Sequence, residues 1–217
     1  MPPRIKICCI ASVSEARTAI DAGASALGLV SRMPSGPGVI DEATIAEIAS
    51  TVPPPIATFL LTCEQEADAI VAQQRRCRTN TIQICDRLER GTYRELREAM
   101  PGISIVQVVH VTGEDSIDEA RRVAEDVDAI LLDSGNQSLA VKELGGTGRV
   151  HDWSISARIR EAIGVPLFLA GGLNASNVRE AMSIVQPFGL DLCSSVRTNG
   201  ALDAMKLREF VAAATSA

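Results

Sequence analysis

Aromatic residues are scarce in this 217-residue chain, where they make up 3% as four Phe, one Tyr and one Trp. So few rings leave little surface on which single-stranded nucleic acid could stack, and the core must consist of Ala, Val, Ile and Leu. An excess of positive charge is also lacking, because 27 Asp and Glu outnumber 21 Lys and Arg, for a formal net charge of −6. The composition therefore indicates neither a nucleic-acid partner nor a membrane partner.

Patterns typical of metal sites and membrane segments are missing as well. The only histidines are His110 and His151, and the six cysteines form no CxxC pair, so no zinc or other metal site is predicted. No apolar run approaches the roughly 18 residues of a membrane span, and the N-terminal sequence lacks an apolar signal region. We therefore expect a cytoplasmic protein whose thiols are reduced.

What the chain does contain is a repeated alternation of short β-branched runs with longer Ala-, Glu- and Arg-rich runs of helical period. The predicted strands are Ile5–Ile10, Ala26–Val30, Ile56–Leu61, Thr81–Cys85, Ser104–Val111, Ala129–Asp133, Pro166–Ala170 and Leu190–Ser194. The predicted helices are Ser14–Ala22, Glu42–Ser50, Glu64–Arg76, Thr92–Ala99, Ser116–Asp126, Ser154–Ala162, Ala175–Val185 and Asp203–Ala213.

This alternation predicts an α/β fold with a parallel sheet. Several strands, among them Ala129–Asp133, are apolar almost throughout, as strands buried on both faces are. About eight β-then-α units without a break in composition indicate a single (β/α)8 TIM barrel with parallel strands, forming one domain over residues 1–217. An open doubly wound sheet is the alternative.

Three glycine- and serine-rich segments predict a phosphate site at the C-terminal ends of the strands. They span residues 145–148, 170–172 and 193–195. Glycine lets backbone N–H groups approach phosphate oxygens, and the last two segments follow strands seven and eight, where barrels of this kind often bind phosphate. The first lies in an unusually long connection, residues 134–152, which we expect at the catalytic face. Ordinary turns could account for any one of them alone.

Two reactive side chains also end predicted strands. Asp133 ends an apolar strand, which is a costly place for a carboxylate unless it is hydrogen bonded or faces the barrel mouth. Cys8 ends the first strand, although an inert buried thiol is an equally good interpretation of it. A carboxylic acid and a thiolate that face a bound sugar phosphate are suited to transferring protons at the carbon next to its carbonyl or imine carbon.

Longer motifs carry a resemblance to a known family. They lie at residues 6–8 (KIC), 22–28 (AGASALG), 131–133 (LLD), 145–153 (GGTGRVHDW), 169–173 (LAGGL) and 186–194 (QPFGLDLCS). Over nearly its whole length the chain resembles phosphoribosylanthranilate isomerase of tryptophan biosynthesis. The resemblance implies an Amadori rearrangement of an N-linked ribose 5-phosphate to a 1-deoxyribulose 5-phosphate, without metal or organic cofactor.

The resemblance also implies roles for single residues. Cys8 corresponds to the general base, Asp133 to the general acid, and Asp191 to an aspartate that positions substrate or organises the site. Gln83 matches a family residue after strand four and is expected to contact substrate, whereas His110 has no counterpart and is either a substrate contact or an exposed loop residue. Backbone N–H groups at the following residues are expected to hold the phosphate: Gly146, Gly171, Gly172, Ser194 and Ser195.

One departure from the family concerns the anthranilate carboxylate. The family's Ser-Pro-Arg stretch after strand two, whose Arg holds that carboxylate, reads Gly-Pro-Gly at residues 36–38. Glycine cannot replace a bidentate guanidinium, so the candidate partners for the carboxylate, or for the phosphate, are instead Arg32, Arg87 and Arg197. Roles for Cys9 and Cys85 stay open.

The departure leaves three hypotheses about function. The chain is an authentic isomerase of the family, a paralogue that isomerises or binds another phosphorylated sugar or small ligand, or a non-catalytic phospho-ligand sensor. In each case the expected partner is a small phosphorylated molecule, with no nucleic acid and no membrane. We expect a monomer or a homodimer.

Overall fold

Eight parallel strands close into a barrel in chain order, and β8 pairs with β1. The computed structural model describes residues 3–146 and 148–215. The barrel strands are β1 Arg4–Ile7, β2 Ala26–Val30, β3 Ala57–Thr62, β4 Thr81–Ile84, β5 Ser104–His110, β6 Ala129–Asp133, β7 Leu167–Leu169 and β8 Gly189–Leu192. This closure confirms the predicted barrel and excludes the open sheet.

One α-helix follows each barrel strand and covers the outside of the barrel. The helices are α1 Val13–Asp21, α2 Glu42–Thr51, α3 Ala67–Cys77, α4 Tyr93–Ala99, α5 Asp115–Ala124, α6 Trp153–Ala162, α7 Val178–Val185 and α8 Ala204–Thr215. A 3₁₀ turn at Ser194–Val196 and a small hairpin of β9 Arg197–Thr198 and β10 Ala201–Leu202 precede α8. Among the described residues, no helix is long and apolar enough to cross a membrane.

Most predicted elements agree with the structure to within a few residues, and the deviations have local causes. Helix α7 begins at Val178 rather than at Ala175, because Asn174 Oδ1 accepts hydrogen bonds from the N–H groups of Ser176 and Asn177 and holds a turn there. Asp203 Oδ1 accepts hydrogen bonds from the backbone N–H groups of Met205 and Lys206 at the start of α8, as an N-cap residue does. The hairpin of β9 and β10 was not predicted.

The core has an outer and an inner layer. The outer layer lies between strands and helices, and side chains such as Ile7, Leu60 and Ile130 are completely buried in it. The inner layer fills the barrel and includes Phe59 and Phe168, whose rings meet edge to face at 5.9 Å. Each fully buried aliphatic or Phe side chain stabilises the fold by about 1.5–3 kcal/mol. Because the barrel interior is packed, a ligand is expected at the C-terminal mouth.

Candidate active site

A cavity of about 200 Å³ opens at the C-terminal mouth of the barrel. It brings together nine of the ten predicted site residues: Cys8, Gln83, Asp133, Gly146, Gly171, Gly172, Asp191, Ser194 and Ser195. The long 134–152 connection covers this mouth, as predicted, while Thr147 lies outside the described residues. The convergence follows from barrel closure, since the C-terminal ends of all eight parallel strands meet at one rim.

The two candidate proton-transfer residues face this cavity from different strands. Cys8 directly follows β1 and Asp133 is the last residue of β6; both side chains are buried. Asp133 Oδ1 accepts a hydrogen bond of 2.8 Å from the Ser134 N–H, which fixes the carboxyl group. Going round the barrel, β7 and β8 lie between β6 and β1. The segments that follow β7 and β8 therefore lie between the candidate acid and the candidate base.

Those two segments combine left-handed glycines with a 3₁₀ turn. Gly171 and Gly172 have φ of 84° and 64°, in the left-handed region that favours glycine. A Cβ on Gly172 would lie 2.8 Å from the Arg149 carbonyl carbon, so no side chain fits there. After β8, Ser194 and Ser195 begin the 3₁₀ turn, and the buried Ser195 Oγ has no hydrogen-bond partner among the described residues.

A buried ion pair lies beside the cavity, which Asp191 lines. Lys6 Nζ lies 2.9 Å from Asp191 Oδ1, and Lys6 is completely buried, with its ammonium 5.2 Å from the centre of the Phe59 ring. Burial alone would lower the pKa of Lys6, but the charges of Asp191 and Cys8 outweigh it and raise that pKa. Burial raises the pKa of Asp191, against the opposing charge of Lys6. No role was predicted for Lys6, although a lysine in the otherwise apolar stretch Ile5–Ile10 is a recognisable signal of a buried partner.

Gln83 and His110, both predicted near the substrate, occupy different positions. Gln83 lines the cavity, and its buried Oε1 accepts no hydrogen bond from any described residue. His110 does not line the cavity: it lies behind the wall, where its Nε2 donates to the Cys85 carbonyl over 3.1 Å. Gly135 packs against the other side of its ring. Of the two, only Gln83 offers a side-chain group to a ligand in this cavity.

Two loops meet above the cavity and narrow its entrance. The 31–41 loop after β2 contacts the 134–152 loop after β6, where Ser35 Oγ donates to the Lys142 carbonyl over 2.7 Å. Pro37 lies against Gly146, so close that a Cβ on that glycine would lie 2.6 Å from the proline ring. Lys142 in turn forms a 2.6 Å ion pair with Asp86 beyond β4.

None of the three arginines proposed as a carboxylate partner lines the cavity. Arg32 is exposed, and Arg87 pairs with Glu119 on the outer surface. Arg197 is largely buried and pairs with Glu15 at 3.1 Å, while it also donates to the carbonyl oxygens of Cys8 and Cys9. Arg197 therefore supports the chain after β1 rather than a ligand.

The position of the missing family arginine is closed to any side chain. Gly38 has φ of 79°, and a Cβ there would lie 2.4 Å from the Cβ of Cys9. Cys9 itself has φ of 63°, which residues other than glycine seldom adopt. Among the described lining residues there is no Arg, Lys or His, and the carboxyl groups that face the cavity are those of Asp133 and Asp191.

Comparison with known proteins identifies the family. Residues 5–213 match the family model of N-(5'-phosphoribosyl)anthranilate isomerase. The chain is 36% identical over 210 residues to N-(5'-phosphoribosyl)anthranilate isomerase 2 of Methanosarcina mazei, covering 96% of this chain and 92% of that protein. The phosphoribosylanthranilate isomerase structure from Thermotoga maritima has a TM-score of 0.81 and 28% identity, with 98% of each chain covered.

A further solved structure holds a ligand. It is a phosphoribosylanthranilate isomerase in complex with reduced 1-(o-carboxyphenylamino)-1-deoxyribulose 5-phosphate, with a TM-score of 0.78, 26% identity and 98% of each chain covered. Together with the match over residues 5–213, these relatives settle the family. The chain belongs to the N-(5'-phosphoribosyl)anthranilate isomerase family.

Proposed function

We propose that the protein isomerises N-(5'-phosphoribosyl)anthranilate to 1-(o-carboxyphenylamino)-1-deoxyribulose 5-phosphate by an Amadori rearrangement, a step of tryptophan biosynthesis. One observation carries the proposal: Cys8 and Asp133 face the same cavity, and the glycine-rich and serine-rich segments after β7 and β8 lie between their strands. A sugar phosphate anchored on those segments would present its ring to both side chains.

The proposed reaction needs one acid and one base. Asp133 gives a proton to the ring oxygen of the ribose, the bond from that oxygen to C1′ breaks, and an imine forms between C1′ and nitrogen. Cys8, as thiolate, then removes the proton from C2′, and the electron pair of that bond forms the C1′–C2′ double bond of an enolamine. Tautomerisation of the enolamine gives the ketose.

Neither step transfers electrons to or from the substrate, so the proposed chemistry requires no redox cofactor. No step requires a metal ion either, because the imine nitrogen accepts the electron pair released at C2′. The phosphate needs no cationic side chain, since backbone N–H groups in glycine-rich loops and at helix starts bind anions. Gly171 and Gly172, with their left-handed backbone, supply such groups in this proposal.

The direct test is turnover by the purified full chain. Conversion of N-(5'-phosphoribosyl)anthranilate is followed by loss of its fluorescence, and the ketose is identified by NMR. We expect turnover by the wild type and by a Cys63→Ala control, whose thiol lies outside the cavity lining. Failure of Cys8→Ala and Asp133→Asn to reduce turnover would overturn the mechanism. Expression of the chain in a tryptophan auxotroph that lacks this step tests the pathway, because growth without tryptophan then requires the proposed activity.

The charges of the cavity favour a second candidate, a related N-linked ribose 5-phosphate whose attached group carries no carboxylate. An anthranilate carboxylate would meet no described Arg, Lys or His in the cavity lining, and the site already contains Asp133 and Asp191. The charge of Lys6 is matched by Asp191 at 2.9 Å.

Paired substrates distinguish the two candidates. The N-(5'-phosphoribosyl) derivatives of aniline and of anthranilate differ only in the carboxylate. A kcat/KM for the aniline derivative equal to or above that for anthranilate would support the second candidate. A preference for anthranilate of tenfold or more, about 1.4 kcal/mol, would support the first. Turnover of neither compound would contradict both.

A further inference from the structure

Two cysteines that the proposed reaction does not use touch at the edge of the cavity. Cys9 follows β1 and Cys193 follows β8, and these strands are hydrogen-bonded neighbours. Their sulfur atoms lie 2.7 Å apart, whereas Cys8 Sγ is 3.9 Å from Cys9 Sγ. Both Cys9 and Cys193 line the cavity, and Cys193 is partly exposed to solvent.

The distance between these two sulfur atoms is unusually short for thiols that do no more than pack together. Nonbonded carbon atoms in optimal contact are already about 3.5–4.0 Å apart, and sulfur is larger. A disulfide has a sulfur–sulfur distance of about 2.05 Å, and the observed 2.7 Å lies between this value and an ordinary nonbonded contact. A small movement of either side chain would therefore complete the bond.

The backbone and the surrounding charges favour this contact. The left-handed φ of 63° at Cys9 is rare for a residue with a side chain. The hydrogen bond between the thiols lowers the pKa of Cys193, burial opposes this effect, and the charge of Arg197 adds to it. The same hydrogen bond raises the pKa of Cys9. Cys193 is thus the nucleophilic partner, because the thiolate is the reactive form of cysteine.

We propose that Cys9 and Cys193 form a redox-active pair that a small hydroperoxide converts to a disulfide. The Cys193 thiolate attacks the terminal oxygen of the hydroperoxide, and the O–O bond breaks. The alkoxide, or hydroxide from hydrogen peroxide, leaves and takes up a proton, and Cys193 becomes a sulfenic acid. The Cys9 sulfur then attacks the Cys193 sulfur, and hydroxide leaves with the Cys9 proton as water. Two thiols lose two electrons in total, and the peroxide gains them.

The new bond would join the ends of β1 and β8 beside the reacting groups. Cys8 precedes Cys9 and Ser194 follows Cys193, so the bond shifts the candidate base and a phosphate-binding segment relative to each other. Displacements of about 1 Å in an active site reduce rates on the order of a hundredfold. We expect oxidation to lower kcat/KM by that order. This consequence rests on the proposed function, whereas formation of the bond does not.

The test maps the bond and measures turnover separately. The full chain is treated with hydrogen peroxide, remaining thiols are alkylated, and the unreduced digest is analysed by mass spectrometry. We expect a cross-link between the peptides of Cys9 and Cys193 that a dithiol reverses. Cys9→Ala and Cys193→Ala should abolish it, whereas Cys8→Ala and the control Cys63→Ala should retain it. No cross-link in the wild type, or one that requires Cys8, would overturn the proposal.

Turnover of the same samples separates the two proposals. A cross-linked wild type with undiminished kcat/KM would overturn the predicted inhibition. A cross-link in a protein that turns over no substrate even when reduced would contradict the proposed function and support the redox pair.

Discussion

Lys6 and Asp191 form an ion pair of 2.9 Å beside the cavity, where Lys6 has no exposed surface and Asp191 has 8%. The two residues belong to neighbouring strands, and the register of β1 and β8 places them opposite each other. The pair keeps a lysine charge inside a barrel that is otherwise apolar at this level. It also holds the ends of the two strands that carry Cys8 and the serine-rich segment.

Asp191→Asn should therefore be strongly destabilising. Removing one partner of a buried ion pair leaves an uncompensated charge and costs about 3–5 kcal/mol, measurable as the free energy of unfolding in urea. The control Glu98→Gln breaks an exposed pair with Arg94 on one helix and should change that free energy by less than about 0.5 kcal/mol. Equal effects of the two substitutions would show that the buried pair makes no special contribution.

Replacing the candidate acid should reduce the rate more than substrate affinity. Asp133→Asn keeps the shape of the side chain and the oxygen that accepts the hydrogen bond from the Ser134 N–H. The asparagine amide cannot donate the acidic proton. We expect kcat to fall by about 10²–10⁴-fold with KM nearly unchanged, measured by steady-state turnover. A rise in KM alone would assign Asp133 to binding instead.

Gly172→Ala should weaken phosphate binding. At φ of 64° a Cβ would lie 2.8 Å from the Arg149 carbonyl carbon, so the backbone must move. A hydrogen bond to a charged group contributes about 1.5–3 kcal/mol, and we expect KM to rise at least about tenfold. Gly164→Ala is the matched control, because a Cβ there would have no atom within 4 Å. An unchanged KM for Gly172→Ala would exclude this segment from the phosphate site.

Gly38 and Cys9 should be energetically coupled. Gly38→Arg alone forces a side chain onto the Cβ of Cys9, 2.4 Å from the new Cβ, and overpacking of this kind costs about 1–3 kcal/mol. Cys9→Gly removes the contacts with the Cys9 Cβ and Sγ but leaves its Cα 2.9 Å from the new Cβ. The double variant should therefore be more stable than the sum of the single effects predicts, as a double-mutant cycle measures. Strictly additive effects would contradict the contact.

Stability should fall in acid through Glu15. Burial raises the pKa of Glu15, but hydrogen bonds from Arg197 and from the N–H groups of Leu202 and Ala11 outweigh it, and the pKa is lowered. Since the unfolded value is about 4.3, this contribution is present above that pH and is lost as the pH falls through the lower folded value. Glu15→Gln should flatten the stability curve below about pH 5, as urea unfolding at several pH values can show. A curve as steep as that of the wild type would contradict the assignment.

The sequence alone determined the elements and their order. Ala26–Val30 and Ala129–Asp133 have the same bounds in prediction and structure, because apolar runs and helical periods are local properties of the chain. Cys8, Asp133 and the glycine-rich segments could be placed at strand ends for the same reason. Counting units predicted barrel closure with an open sheet as the alternative, and the pairing of β8 with β1 decided between them and brought these residues together.

Only the tertiary structure decided which side chains meet. Cys9 and Cys193 are 184 positions apart, and no local pattern links them. Arg197, proposed as a ligand contact, pairs with Glu15, and His110 lies behind the cavity wall. Lys6 and Asp191 face each other because β8 pairs with β1 in one register. Periodicity fixes where a strand lies in the chain, whereas contacts between distant side chains depend on the packing of the closed barrel, which no short stretch of sequence contains.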